Sequence, residues 1–198
     1  MIHVGANTGQ ERELYDNLNL RVLWIKPIPE IFETLKAKLK DFPGQRAIQY
    51  LVTDCDSKEY RLHVANNNGE SSSIFELKYH KDIWPDVKYT NAILLKSITL
   101  TSLFEKENID PFDYQSLIID TQGSELLVLK GSAFLLSNFR YAKTEVADFE
   151  SYEGCCQLAD INSFMKQHGY TEFSRHTIAK RPQGGNYFAV VYKKRAAS

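Results

Sequence analysis

Apolar residues along this chain fall into short runs that stop at turn-forming residues, with stretches of helical spacing between them. Ile2-His3-Val4 ends at Gly5, the run 21–26 ends at Pro27, and Ser116-Leu117-Ile118-Ile119 ends at Asp120. Runs of this kind suit parallel strands buried on both faces. Residues 46–53 read as a third strand, closed by Asp54-Cys55-Asp56-Ser57, and residues 141–147 as another. Residues 58–65 alternate, with Tyr60, Leu62 and Val64 on one side, which predicts a half-exposed strand next to 46–53; 93–100 is a further strand. Helices are read at 11–18, behind Pro27-Ile28-Pro29-Glu30, at 101–108 with Ser102-x-x-Glu105 as its cap, from Leu126 to an interruption at Gly131, and at 157–168 up to Gly169. Residues 171–179 and 187–193 flank Arg181-Pro182-Gln183-Gly184-Gly185-Asn186, so they should pair as an antiparallel hairpin.

Strands alternating with helices predict an α/β fold, a Rossmann-like, doubly wound and mostly parallel sheet with a C-terminal antiparallel hairpin. No internal repeat and no long linker divides the chain, which reads as a single domain over 1–198. The first turn, Gly5-Ala6-Asn7-Thr8-Gly9, has the form of a nucleotide-binding turn. Gly5 and Gly9 permit positive φ and bring bare backbone to a ligand, Asn7 tolerates the left-handed region, and Thr8 with Glu11 makes a Thr-x-x-Glu capping box. Asp120, beside Thr121-Gln122-Gly123, should lie at the same carboxyl edge of the sheet, where open α/β sheets bind ligands. The polar stretch 66–73, Asn66-Asn67-Asn68-Gly69-Glu70-Ser71-Ser72-Ser73, is either a linker or a loop that meets substrate.

Composition narrows the partners. Lys plus Arg is 24 against 25 for Asp plus Glu, a net charge of −1 with no long basic run, which argues against a nucleic-acid partner. No apolar run approaches the roughly 18 residues that span a bilayer, and no leader pattern opens the chain, so no membrane partner is expected. Three cysteines, two of them adjacent, make neither a disulfide framework nor a metal set, and a reducing cytoplasmic setting is expected. The five histidines show no ligand-like pairing, so no metal site is expected from them. Tyr79, His80, Trp84, Tyr89 and Tyr152 form either a sugar-stacking surface or ordinary packing.

Four ordered motifs carry a family resemblance. Val4-Gly5-Ala6-Asn7-Thr8-Gly9-Gln10-Glu11, Trp24-Ile25-Lys26-Pro27-Ile28-Pro29-Glu30, Ser71-Ser72-Ser73, and Asp120-Thr121-Gln122-Gly123-Ser124-Glu125 through Gly131 resemble the FkbM family of S-adenosyl-L-methionine-dependent methyltransferases. Glu145-Val146, Tyr152-Glu153-Gly154 and Gly185-Asn186-Tyr187 are also similar to the family pattern. The resemblance covers essentially the whole chain and implies the class I methyltransferase fold. It implies S-adenosyl-L-methionine as cofactor, held by Gly5, Asn7 and Gly9 with His3, Lys26 and Gln122 nearby, and Asp54 at the adenine amino group. It places Asp120 near the transferred methyl. It implies a hydroxyl acceptor on a sugar or natural product, bound by Ser71, Ser72, Ser73 and Tyr152. Asp120 and Glu145 are the candidate catalytic carboxylates, as general bases or as ligands of a hard ion such as magnesium; each is alternatively a structural cap.

Two positions depart from the family pattern. His3 stands where a first-strand acid is common, and neutral imidazole still offers one hydrogen bond. Lys26 stands where a carboxylate normally accepts both ribose hydroxyls, and an ammonium has donors only; losing that contact costs on the order of 2 kcal/mol. Glu30, one helical turn on, is a candidate substitute. Lys26 also suits the 2′-phosphate of NADP, which keeps an oxidoreductase open as an alternative, beside a non-catalytic, degenerate methyltransferase fold. The chain begins at the first strand, without the helices that often cover the cofactor, so an open pocket is expected. The oligomeric state is not legible.

Overall fold

A computed structural model describes residues 1–195. In chain order the elements are β1 (Ile2–Val4), α1 (Arg12–Asn17), β2 (Val22–Ile25), α2 (Pro29–Lys38), β3 (Gln45–Ile48), β4 (Leu51–Val52), β5 (Glu59–Ala65), β6 (Tyr89–Ile98), α3 (Leu100–Lys106), β7 (Ser116–Ile119), α4 (Glu125–Gly131), β8 (Tyr141–Ala147), α5 (Leu158–Gln167), β9 (Tyr170–Lys180) and β10 (Asn186–Lys194). Seven strands form the main sheet in the order β3-β2-β1-β7-β8-β10-β9. The first five are parallel, and β10 runs antiparallel between β8 and β9, as the glycine-rich turn before it predicts. This is the doubly wound architecture expected of the chain.

Side-chain alternation along the short central strands divides the core between the two faces. Ile2 and Val4 of β1, Leu23 and Ile25 of β2, and Leu117 and Ile119 of β7 pack with Leu100, Leu103, Val128, Leu129, Ile161 and Met165 from α3, α4 and α5. The intervening Trp24 faces the other way, into Ala6, Tyr15, Leu35 and Leu39 under α1 and α2. Trp24 is fully buried and its indole N–H donates to Gln45 Oε1 at 2.9 Å, so the large ring is buried with its polar atom satisfied. Each fully buried aliphatic side chain contributes about 1.5–3 kcal/mol, and their placement on both faces locks the central strands into one register.

Four local expectations need correction. The strand read at 46–53 is two strands. β3 ends at Ile48, and after Gln49 and Tyr50 the chain crosses to a second, three-stranded sheet of order β4-β6-β5, where Leu51 and Val52 pair with Ser97 and Ile98. β3 is an edge strand of the main sheet, and Leu51 and Val52 are buried after the chain has left it; the run 46–53 holds no glycine or proline to mark the crossing. The strand at 58–65 accordingly pairs with β6 and not with β3. The Thr8/Glu11 capping box does not form. Glu11 makes no capping hydrogen bond, and Thr8 Oγ1 accepts from Lys38 Nζ at 2.9 Å. At α3 the cap is Thr99, whose hydroxyl accepts from the Ser102 N–H at 3.1 Å, and not Ser102.

Candidate active site

The carboxyl edges of β1, β2, β7 and β8 meet at one cleft, and the backbone at that edge is tightly specified. Gly5 takes a φ of +88°, and a Cβ there would fall on the Asp120 carbonyl. The Gly5 N–H donates to Ile25 O at 3.0 Å and the Asp120 N–H to Val4 O at 3.0 Å, which ties the glycine turn, the end of β2 and Asp120 together. Asn7, at φ +40°, follows in the left-handed region. The turn and Asp120 thus share one edge, as the doubly wound sheet requires.

A cavity of about 370 Å³ opens above that edge. It is lined by His3, Gly5, Ala6, Asn7, Gln10, Glu11, Asp120, Gln122 and Glu145, by Ile178 of β9 and Tyr187 of β10, and by Asn67, Glu70, Ser71, His80 and Trp84 from the segment between β5 and β6. Four acidic residues line it, of which Asp120 is held protonated up to about pH 8 by burial and the other three are glutamates, and no lysine or arginine does. Burial pushes His3 down to about 3 and His80 down to about 4, so both imidazoles are neutral at pH 7. The cavity is therefore anionic, suited to a ligand that brings positive charge.

Gln122 orients the Asp120 carboxyl. It occupies φ +56°, and its Nε2 donates to Asp120 Oδ1 at 2.6 Å while its Oε1 accepts from the Tyr152 hydroxyl at 2.6 Å. Its backbone carbonyl accepts from Ser73 Oγ at 2.6 Å. Burial raises the Asp120 carboxyl above the usual range, the charges of Glu145 and Glu125 raise it further, and the Gln122 bond and Lys26 oppose them. Glu125, buried at the start of α4, accepts from the Thr121 N–H at 2.9 Å and the Gly123 N–H at 3.0 Å, so it holds the Asp120 turn and faces no cavity. Glu145 pairs with Lys143 Nζ at 3.2 Å.

Other candidates are placed unequally. Ser71 lines the cavity and lies 3.3 Å from His80 Nε2, whereas Ser72 Oγ is taken by the Ala65 N–H at 3.1 Å and Ser73 Oγ by Gln122. Tyr152 is fully buried and lines no cavity; its hydroxyl is spent on Gln122. Of the aromatic set only His80 and Trp84 reach the cavity, with ring centroids 4.6 Å apart, while the Tyr89 hydroxyl donates to Phe75 O at 2.7 Å. Tyr187, edge-on to Trp84 at 5.7 Å, completes the aromatic wall. Sequence reasoning passed over Asn67, Glu70 and Tyr187 as site residues. The signal for the first two was their place in the polar loop 66–73, and Tyr187 was quoted only for the family pattern.

The family resemblance places both Lys26 and Asp54 on the cofactor side, and only Lys26 lies at the cleft edge of the sheet. Lys26 is only 6% exposed and lines a narrow second cavity of about 40 Å³ with Ile28, Tyr50, Val52, Leu62, Ile74 and Glu70. Its Nζ donates to Gly69 O at 3.5 Å. Burial lowers it to about 8, against the pull of Asp120 and Glu70. Asp54 is exposed and lines neither cavity, because the crossing after β3 carries it to the second sheet; Tyr50 stands at the strand end in its place. Glu30 is likewise exposed and lines neither cavity. Among the described residues no group of three or more His, Cys, Asp or Glu side chains is placed to hold a metal ion. No helix there is long and apolar enough to cross a membrane.

Comparison with known proteins agrees with this geometry. The model of the methyltransferase FkbM domain matches residues 3–172. The 2-O-methyltransferase NoeI of Sinorhizobium fredii (strain NBRC 101917 / NGR234) is 21% identical over 192 residues, covering 93% of this chain and 75% of NoeI. Among solved structures, the magnesium protoporphyrin IX methyltransferase ChlM of Synechocystis PCC 6803, with bound S-adenosyl-L-methionine, superposes with a TM-score of 0.54 at 10% identity over 98% of this chain and 69% of its own. The Streptococcus pneumoniae protein Sp1610 in complex with S-adenosyl-L-methionine gives 0.54 at 9% identity, over 100% of this chain and 67% of its own. At these identities the solved structures establish the fold.

Proposed function

Because the chain belongs to the FkbM methyltransferase family, we propose that it transfers the methyl group of S-adenosyl-L-methionine to a hydroxyl oxygen of a saccharide or a comparably polyhydroxylated small molecule. The observation that carries this reading is the anionic cavity that joins the Gly5–Gly9 turn to Asp120 and Glu145 and then to a wall of His80, Trp84 and Tyr187. The residues fit the cofactor. Glycine backbone lines its cradle, Asn7 Oδ1 is a buried acceptor without a partner, and three glutamates, Glu11, Glu70 and Glu145, face a ligand that carries a sulfonium and an ammonium. The name of NoeI supports oxygen as the acceptor atom.

The cofactor, when bound, supplies an electrophilic methyl carbon. The protein's task is to hold the acceptor hydroxyl in line with it and to remove the hydroxyl proton, and in-line positioning alone is worth several kcal/mol. Asp120, whose orientation Gln122 fixes, would take the proton that the acceptor hydroxyl gives up, and its raised affinity for a proton suits a base once it is ionised. Glu145 lies on the acceptor side as a second hydrogen-bond acceptor. Trp84 and Tyr187 offer apolar faces against which a sugar ring packs, with Asn67 and Ser71 for its hydroxyls. An NADP-dependent oxidoreductase is disfavoured, since the Lys26 ammonium has Glu70 and Asp120 beside it, and both would repel a 2′-phosphate.

Titration with S-adenosyl-L-methionine and, separately, NADPH tests the cofactor; binding of the first alone is expected. Incubation with methyl-labelled cofactor and a panel of oligosaccharides tests the acceptor. Label that survives mild alkali, as an ether does and a methyl ester does not, supports the reading, and label on nitrogen or in base-labile ester overturns it.

A further inference from the structure

The end of β2 normally offers a cofactor ribose two acceptors, and here it offers the ammonium of Lys26, which has none. The same place holds a carboxylate that arrives from elsewhere. Glu70 lines both the 370 Å³ cavity and the narrow one, which also share Gly5, Asp120 and Gln122 in their walls. Its Oε1 accepts from Asn7 Nδ2 at 3.3 Å, so it already bonds the cofactor turn.

The segment that presents Glu70 is anchored through its backbone. Gly69 takes φ +71°, and a Cβ there would collide with the Ile31 side chain, so the loop packs hard against α2. Its carbonyl is turned toward Lys26 Nζ at 3.5 Å, and the loop closes on itself through Gly69 N–H to Ala65 O at 3.2 Å and Ser71 N–H to Asn67 Oδ1 at 3.2 Å. The cation at the strand end and the anion on the loop are therefore an exchanged pair.

We infer that Glu70 is the acceptor for the ribose hydroxyls of the cofactor, presented by the loop 66–73, which Lys26 holds against the sheet edge through the Gly69 carbonyl. The inference rests on the methyltransferase reading above and adds a residue to it. It also explains why a buried cation is compatible with a working site: Lys26 binds the loop, and the loop binds the ribose.

A cycle between protein and ligand tests it. Calorimetry is run on the wild type and Glu70→Gln with S-adenosylhomocysteine and with its 2′-deoxy counterpart, after circular dichroism confirms that the exposed-loop variant is folded. The expected result is a loss of tenfold or more in affinity for S-adenosylhomocysteine on Glu70→Gln, with a severalfold smaller loss for the 2′-deoxy ligand, which keeps only the 3′-hydroxyl for Glu70 to accept. An equal loss for both ligands, as a purely structural Glu70 would produce, overturns the inference, and so does no loss for either. If the wild type binds S-adenosylhomocysteine with no dependence on Glu70, only this inference falls. If the wild type binds neither ligand, the cofactor reading falls with it. The exchange Lys26→Glu with Glu70→Lys should keep affinity for S-adenosylhomocysteine within about threefold of wild type, and complete loss in that doubly substituted protein counts against the exchanged pair.

Discussion

Replacing Lys26 by methionine should stabilise the protein, and the size of the effect follows from where the ammonium sits. Lys26 is buried at the end of β2 and its proton affinity falls from 10.5 to about 8. At about 1.36 kcal/mol per decade, that gap means the folded state bears a cost of about 3 kcal/mol for keeping the charge at pH 7. Attraction to Asp120 and Glu70 is already contained in the value. Methionine has nearly the same length and no charge, and it forfeits one long hydrogen bond to Gly69 O, worth about 1 kcal/mol at most. A net gain of about 2 kcal/mol at pH 7 is expected, or a rise in Tm of roughly 4–8 °C for a chain of this size.

The pH dependence separates this cause from better packing. Between pH 8 and 10.5 the unfolded wild type still holds the lysine proton while the folded state has released it, so raising the pH stabilises the wild type in that window and leaves the variant unaffected. The advantage of the variant should be full below pH 8 and shrink steadily above it. The buried tyrosines and the N-terminus titrate alike in both proteins and cancel in the difference. Urea melts at pH 7, 8, 9 and 10 measure it. A variant less stable at pH 7, or an advantage that stays constant to pH 10, refutes the reasoning. Cofactor affinity should fall in the same variant, since the loop that carries Glu70 loses its anchor.

Asp120→Asn should lower kcat by about 10²-fold with the melting curve and S-adenosylhomocysteine affinity nearly unchanged, and an unaltered rate with the true acceptor removes it from the chemistry. Because its carboxyl is raised by burial and by Glu145 and Glu125, activity limited by Asp120 as base should climb as pH rises through the neutral range; kcat against pH in wild type, flat where the base is already ionised, is the check. Tyr152→Phe deletes the 2.6 Å bond that holds Gln122 against Asp120, and a fall of about tenfold in kcat with little change in KM for the acceptor is expected; a change in KM alone would make Tyr152 a substrate contact instead. Gly131→Ala places a methyl on the Thr53 carbonyl at the end of α4, and thermal melts should show a loss of about 1–3 kcal/mol.

What was legible in the sequence follows from how local its cause is. β1 and β7 were readable because a buried parallel strand is a short apolar run that must stop where the backbone needs a special conformation. Gly5 and Asp120 mark those stops, and their positions at one edge follow from the parallel pairing of β1 with β7. The C-terminal hairpin was readable from Gly184 and Gly185, both at φ +99°, between two alternating strands. The Thr-x-x-Glu box failed for the opposite reason. Its pattern is local, but the turn at Gly9 accepts the Arg12 N–H at 3.2 Å, which starts α1 too late for Thr8 to cap it.

The site divides along the same line. Asp120 and Glu145, carried on or just after strands of the main sheet, were legible as residues that line the cleft, whereas Asn67 and Glu70, which reach it from the loop across the fold, were legible only as members of a polar stretch. Tyr152 was named as a substrate contact, but its hydroxyl meets Gln122, 30 positions away, and that partner is visible only when the two side chains are seen together. Asp54 was assigned by counting from the third strand, and the crossing between Ile48 and Leu51 broke the count. Lys26 is the sharpest case. Read along the chain it is a carboxylate replaced by a cation, a lesion in the site. In three dimensions the ammonium lies beneath a glycine carbonyl whose neighbour, Glu70, faces the cleft from the opposite side, so the function of a position must be judged from the charges that converge on it and not from the residue that occupies it.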